Sequence, residues 1–127
     1  MNNIEIDTEK IKENLIKKLS GVIGIARKAG AISAGSETIL ETIRKKKAVC
    51  VYLSCDASEN TRKKLSDKTA FYNIPVKQLP LTMNELARCT GYSHSTAAAV
   101  SLTNKNFLKL INDYLKEIDE FDKTDKS

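Results

Sequence analysis

Ala48-Val49-Cys50-Val51-Tyr52-Leu53, followed closely by Asp56-Ala57-Ser58-Glu59-Asn60-Thr61, is an apolar run that breaks abruptly into polar residues. The run is short, rich in β-branched and aromatic side chains, and apolar at every position. That is the pattern of a strand covered on both faces of its sheet, and a strand exposed on one face would alternate instead. Ser58 can offer its side-chain oxygen to orphan N–H groups, and Glu59 places negative charge at the positive end of a helix. The segment to Tyr72 therefore reads as a buried strand handing over to a helix. Leu65, Thr69 and Tyr72 fall on one side of that helix, with Arg62, Lys63, Lys64 and Lys68 largely on the other. Such a strand needs helices on both sides.

The flanking sequence supplies them. Upstream, Asp7 and Thr8 offer an N-cap, and Ile11, Leu15, Leu19, Val22, Ile23 and Ala26 recur at helical spacing up to about Ala29, where Gly30 stops the helix. Gly21 and Gly24 lie inside it at about 1 kcal/mol each relative to Ala, which implies close approach of a neighbouring backbone. A short strand, residues 31–34, leads to Gly35-Ser36-Glu37 and a second helix with Ile39, Leu40 and Ile43 on its apolar face. Downstream, residues 73–80 contain a short strand bounded by prolines, which suit a sheet edge or a strand's first position. Thr82-Met83-Asn84-Glu85 has the form of a capping box. A strand over residues 97–102 follows, then Asn104 capping a last helix with Phe107, Ile111, Tyr114, Leu115 and Ile118 along one side. Alternating elements of this kind predict an α/β fold, a three-layer α/β/α sandwich with a mixed sheet of about four strands. Strand order does not follow from the pattern.

With 127 residues, a single domain is expected, its folded body from about residue 8 to 118 and a polar, acidic, frayed tail over 119–127. The N-terminal residues lack an apolar stretch of signal-peptide length, and no run approaches the roughly 20 apolar residues needed to span a bilayer. A cytoplasmic protein without a membrane partner is expected. Cys50, Cys55 and Cys89 form an odd set without a C-x-x-C pair, and His94 is the only histidine. Reduced thiols are expected, with neither metal nor other cofactor.

The net charge of +5 conceals an asymmetry. Residues 1–13 carry four acids against two lysines and residues 117–127 five acids against two lysines, so residues 14–116 carry +10. A basic body of this kind suits a polyanionic partner, nucleic acid first. Arg44-Lys45-Lys46-Lys47 closes the second helix; one or two cations there would answer the helix dipole, and four also make a phosphate-binding patch. Phosphate-cradling glycine motifs and the G-x-S-x-G nucleophile elbow are absent, and one histidine leaves little for acid–base work. No catalytic constellation is expected.

Leu19-Ser20-Gly21-Val22-Ile23-Gly24-Ile25-Ala26-Arg27-Lys28-Ala29-Gly30, the Gly35 turn and Asp56 through Leu65 resemble the bacterial YlxQ-like branch of the ribosomal protein L-seven-Ae / L-thirty-e superfamily, over about Leu15 to Leu115. The resemblance implies an α/β/α sandwich and a non-enzymatic, ribosome-associated protein that binds structured RNA, ribosomal RNA included. Members that recognise kink-turns use a G-x-N-E-x-T-[KR] pattern opening the second helix, plus a loop before the last strand. Here Gly35 and Ser36 are followed by Glu37 where the pattern has asparagine, Thr38 where it has glutamate, and Glu41 where it has a base. Carboxylates near phosphate repel it, so weak discrimination of kink-turns is expected. The 91–96 loop keeps Gly91 and offers Tyr92 for stacking and His94 for a polar contact. The candidate RNA-binding residues are accordingly Lys28, Gly35, Ser36, Glu37, Thr38, Arg44, Lys45, Lys46, Gly91, Tyr92 and His94. A protein-interaction adaptor on the same scaffold is the alternative reading. Steep loss of binding with rising salt would mark RNA and not a mainly apolar protein contact. Neither the RNA nor the oligomeric state follows from the sequence.

Overall fold

The computed structural model describes residues 4–92, 94 and 96–126, the side chains of 4–7 and 124–126 excepted. In chain order the elements are α1 (Ile4–Lys28), β1 (Ile32–Ala34), α2 (Ser36–Arg44), β2 (Cys50–Leu53), α3 (Glu59–Phe71), β3 (Val76–Gln78), α4 (Met83–Thr90), β4 (Ala99–Leu102), and a 3-10 turn (Lys105–Phe107) opening α5 (Leu108–Lys126). The sheet order is β1-β4-β2-β3. β4 runs antiparallel to both β1 and β2, and β3 is parallel to β2 with Val51 opposite Val76. β1, β2 and β3 thus point one way and β4 the other, a mixed sheet of four strands.

All four residues of β2 are buried, and alternation along the strand divides them between two cores. Cys50 and Tyr52 join Leu19 and Ile23 of α1, Leu86 of α4 and Ile111 of α5. Val51 and Leu53 join Ile39 and Ile43 of α2 and Leu65 of α3. Hence α1, α4 and α5 cover one face and α2 and α3 the other, giving the three-layer α/β/α sandwich. The strand is shorter than the apolar run: Val49 donates its N–H to the Leu102 carbonyl at 2.7 Å but is only half-buried. β3 takes the edge, as its prolines require.

Local chemistry follows the sequence closely at the caps. The Ser58 hydroxyl accepts from the Thr61 N–H at 3.2 Å. Thr82 and Glu85 complete a reciprocal capping box, and Asp56 adds an acceptor for the Met83 N–H at 2.8 Å. Four expectations need correction. α1 begins at Ile4, so Asp7 and Thr8 lie inside it and do not mark its start; Glu5, Glu9 and Lys10 are adequate helix formers and no stop signal intervenes. Gly24 does meet a backbone, its missing Cβ standing 3.0 Å from the Cys89 carbonyl oxygen of α4, but Gly21 faces open space. Arg62, placed on the solvent side by spacing, is half-buried and donates to the carbonyls of Ser54, Cys55 and Ala57. Residues 119–126 are helical, not frayed: α5 runs on to Lys126, Phe121 packs against the core, and Asp122 pairs with Lys12 of α1. None of the helices is long and apolar enough to cross a membrane, among the described residues.

Candidate nucleic-acid interface

The loops at the carboxyl ends of β1 and β2 and at the start of β4 meet on one end of the sheet, the position where ligands collect in open α/β folds. β1 passes into α2 through Gly35, whose φ of 96° is one that an L side chain rarely adopts. No side chain caps α2, although α3 and α4 are capped. The first-turn N–H groups of α2 therefore remain available at its positive end, the arrangement that suits an anion.

The second wall is the loop from α4 to β4. Gly91 ends α4 in the left-handed conformation with φ of 64°. The loop is tethered at both ends to α4, Tyr92 N–H donating to the Ala87 carbonyl and Ala97 N–H to the Met83 carbonyl, each at 3.0 Å. Tyr92 is half-buried against the larger core, and its hydroxyl stands 2.9 Å from where a Cβ on Gly35 would be. Only glycine lets the ring lie there. The exposed His94 ring tilts against Tyr92 with centroids 4.9 Å apart. Ser93 and Ser95 of this loop lie outside the described residues.

Together these parts enclose a cleft of about 360 Å³ lined by Gly35 and by Ser36 of α2, Tyr92 and Thr96 of the loop, and Asn60, Thr61 and Lys64 of α3. The arrangement offers helix N–H donors and a lysine for a phosphate, an aromatic ring for stacking, and an amide and hydroxyls for base edges. Sequence reasoning does not name Asn60, Thr61 and Lys64 as RNA contacts; their segment serves there as a helix start and as part of the family resemblance. A signal exists: the turn after a central strand lies at the ligand-binding end of its sheet.

The other candidate residues lie elsewhere. Thr38 is exposed near the start of α2 and Lys28 at the end of α1, neither lining the cleft. Glu37 and Glu41 border a separate groove with Arg44 and with Lys68 of α3. The Lys45 ammonium holds Glu41 at 2.6 Å, and this hydrogen bond and charge keep the Glu41 carboxyl below the usual carboxylate range. Arg44, Lys45 and Lys46 sit at the opposite end of α2 from Gly35, about 13 Å along the axis at 1.5 Å per residue. The cysteines are dispersed, Cys50 buried, Cys55 exposed and Cys89 half-buried; among the described residues no three His, Cys, Asp or Glu side chains gather as metal ligands would.

Residues 17–111 match the family model for the ribosomal protein L7Ae/L30e/S12e/Gadd45 family. The chain is 41% identical over 63 residues to the RNA-binding protein YlxQ of Enterococcus faecium, a match covering 50% of this chain and 61% of that protein. It thus spans about three fifths of the length of that relative. To the RNA-binding protein YlxQ of Bacillus subtilis (strain 168) it is 33% identical over 92 residues, 72% of this chain and 89% of the other. Among solved structures it is similar to a protein of unknown function from Bacillus halodurans, with a TM-score of 0.69 and 25% identity over 78% of this chain and 97% of that one. It shares its fold with a 15.5 kD RNA-binding protein of Giardia lamblia, with a TM-score of 0.62 and 16% identity over 85% and 90% of the two chains.

Proposed function

We propose, since this chain belongs to the ribosomal protein L7Ae/L30e/S12e/Gadd45 family, that it is a non-enzymatic protein that binds structured RNA in the cleft between α2, α3 and the 91–96 loop. The observation that carries the reading is the seating of Tyr92 over Gly35, which joins the uncapped start of α2 to the loop before β4. Relatives named as RNA-binding proteins lend it weight. On this reading Ser36 and the first-turn N–H groups of α2 take a phosphate, Lys64 neutralises a second, and Tyr92 with His94 receives an unstacked base. The finer reading is a cytoplasmic partner of ribosomal RNA, with the whole chain acting as one RNA-binding domain.

Ultraviolet crosslinking of the protein to cellular RNA, followed by sequencing, tests this directly. Structured RNAs should be recovered, with the crosslink in the peptide containing Tyr92, and Tyr92→Ala should abolish it. Recovery no higher than that of an unrelated basic protein would sink the proposal. Co-sedimentation with ribosomal subunits checks the finer part. Glu37, Thr38 and Glu41 predict a weak preference for a kink-turn over a mutated control. A wild-type preference of 100-fold, about 3 kcal/mol, would contradict that.

A further inference from the structure

The cleft continues along α3. Lys64, which walls it, also borders a second hollow of about 590 Å³ formed with Asp67, Lys68, Phe71 and Tyr72. Phe71 is 79% exposed. A lone exposed apolar side chain is ordinary on a protein surface, so exposure by itself carries nothing. Here the ring is held in place: Tyr72 meets it edge-on at 5.0 Å and 72°, and Tyr72 packs against the core under α2 and α3. Lysines at three and seven positions before it, Lys68 and Lys64, share its side of the helix and its hollow. Lys68 also borders the α2–α3 groove with Arg44. The acids nearby are Asp67 in the hollow and Glu37 and Glu41 in the groove, the last neutralised by Lys45.

An oriented aromatic face flanked by lysines is the equipment of single-strand recognition, in which bases stack and backbone charges are met without sequence preference. We propose that Phe71 is a stacking platform for unpaired nucleotides leaving the RNA held in the cleft, with Lys64 and Lys68 taking the intervening phosphates. From Lys64 to Phe71 is about 10 Å along the helix, room for about three stacked nucleotides at 3.4 Å each. The proposal rests on the RNA-binding reading of the cleft. An apolar protein docking on Phe71 would give none of the behaviour described next.

Fluorescence anisotropy on the full chain distinguishes the two levels. The probes are a bulged RNA hairpin with a blunt end and the same hairpin carrying a short oligoadenylate tail at either end. The tail should raise wild-type affinity about tenfold, a modest yield for stacking worth 1–3 kcal/mol per base. Phe71→Ala should erase that gain while leaving the blunt hairpin's affinity unchanged, and Phe71→Trp should keep it. Because the side chain is exposed, these variants should fold, which circular dichroism verifies. A tail that adds nothing to wild-type binding, or a gain that survives Phe71→Ala, would overturn the platform and leave the cleft reading standing. Failure of the wild type to bind either hairpin would overturn both.

Discussion

Gly35 shows how one residue's backbone decides the shape of the site. Its φ of 96° and the Tyr92 hydroxyl 2.9 Å from the absent Cβ make the position intolerant of a side chain on two independent counts. Gly35→Ala should cost about 1–3 kcal/mol through the backbone alone and displace the Tyr92 ring, visible as a lowered melting temperature together with shifted Tyr92 ring resonances; unchanged resonances would contradict the contact. The cysteines give a second residue-level test. Burial pushes the Cys89 thiol up to about 11, and it raises Cys50 inside the sheet as well. Since the thiolate is the reactive species, both groups stay protonated and slow at pH 8, well below the raised value of Cys89. Cys55 is exposed. Ellman's reagent on native protein at pH 8 should therefore titrate one thiol quickly and the other two only after denaturant is added, and two fast thiols would contradict the assigned burial.

Within elements, α1 separates two glycines that look alike in sequence. Gly21 has open space around it, so Gly21→Ala should stabilise the chain by about 1 kcal/mol through helix propensity. Gly24 approaches the Cys89 carbonyl so closely that Gly24→Ala must push α1 away from α4, and it should gain nothing or lose stability. Paired thermal melts check the contrast, and equal gains for both would refute the packing of α1 on α4. Helix starts at Ser58 and Thr82, the buried β2 and the edge position of β3 were all legible because each depends on a few adjacent residues. Gly21, Arg62 and the last two turns of α5 were not. Helical spacing does not show that Arg62 folds back onto the Ser54, Cys55 and Ala57 carbonyls of the turn before α3, that no neighbour reaches Gly21, or that Lys12 stands across the fold opposite Asp122. The cleft was half legible for the same reason. Gly35, Ser36 and Tyr92 carried local signatures, whereas Asn60, Thr61 and Lys64 enter it only because α3 packs beside α2.

At the scale of the molecule, the acidic stretches near either end, over the described residues, are helical. They belong to α1 and α5, which pack on the face of the sheet opposite α2 and α3 and are tied by the Lys12–Asp122 pair. Arg44 to Lys47 close α2, and Lys63, Lys64 and Lys68 ride on α3, so the layer that forms the cleft is also the cationic one. A polyanion approaching this molecule would be turned toward the α2–α3 side. Distance limits how far that helps. The Arg44–Lys46 cluster lies about 13 Å from Ser36, beyond the roughly 8 Å Debye length at physiological salt. It cannot reinforce a phosphate inside the cleft and must act through phosphates of its own. Replacing Arg44, Lys45 and Lys46 with glutamine should then weaken an RNA long enough to run along α2, by the same factor whatever its sequence, and lessen the salt slope by about 0.7–0.9 for each phosphate no longer neutralised. A short RNA confined to the cleft should be bound as by wild type. Binding measured at two salt concentrations with a long and a short RNA decides the matter. Equal weakening of both RNAs would show that the cluster acts on the cleft after all, and no weakening of either would remove it from the interface.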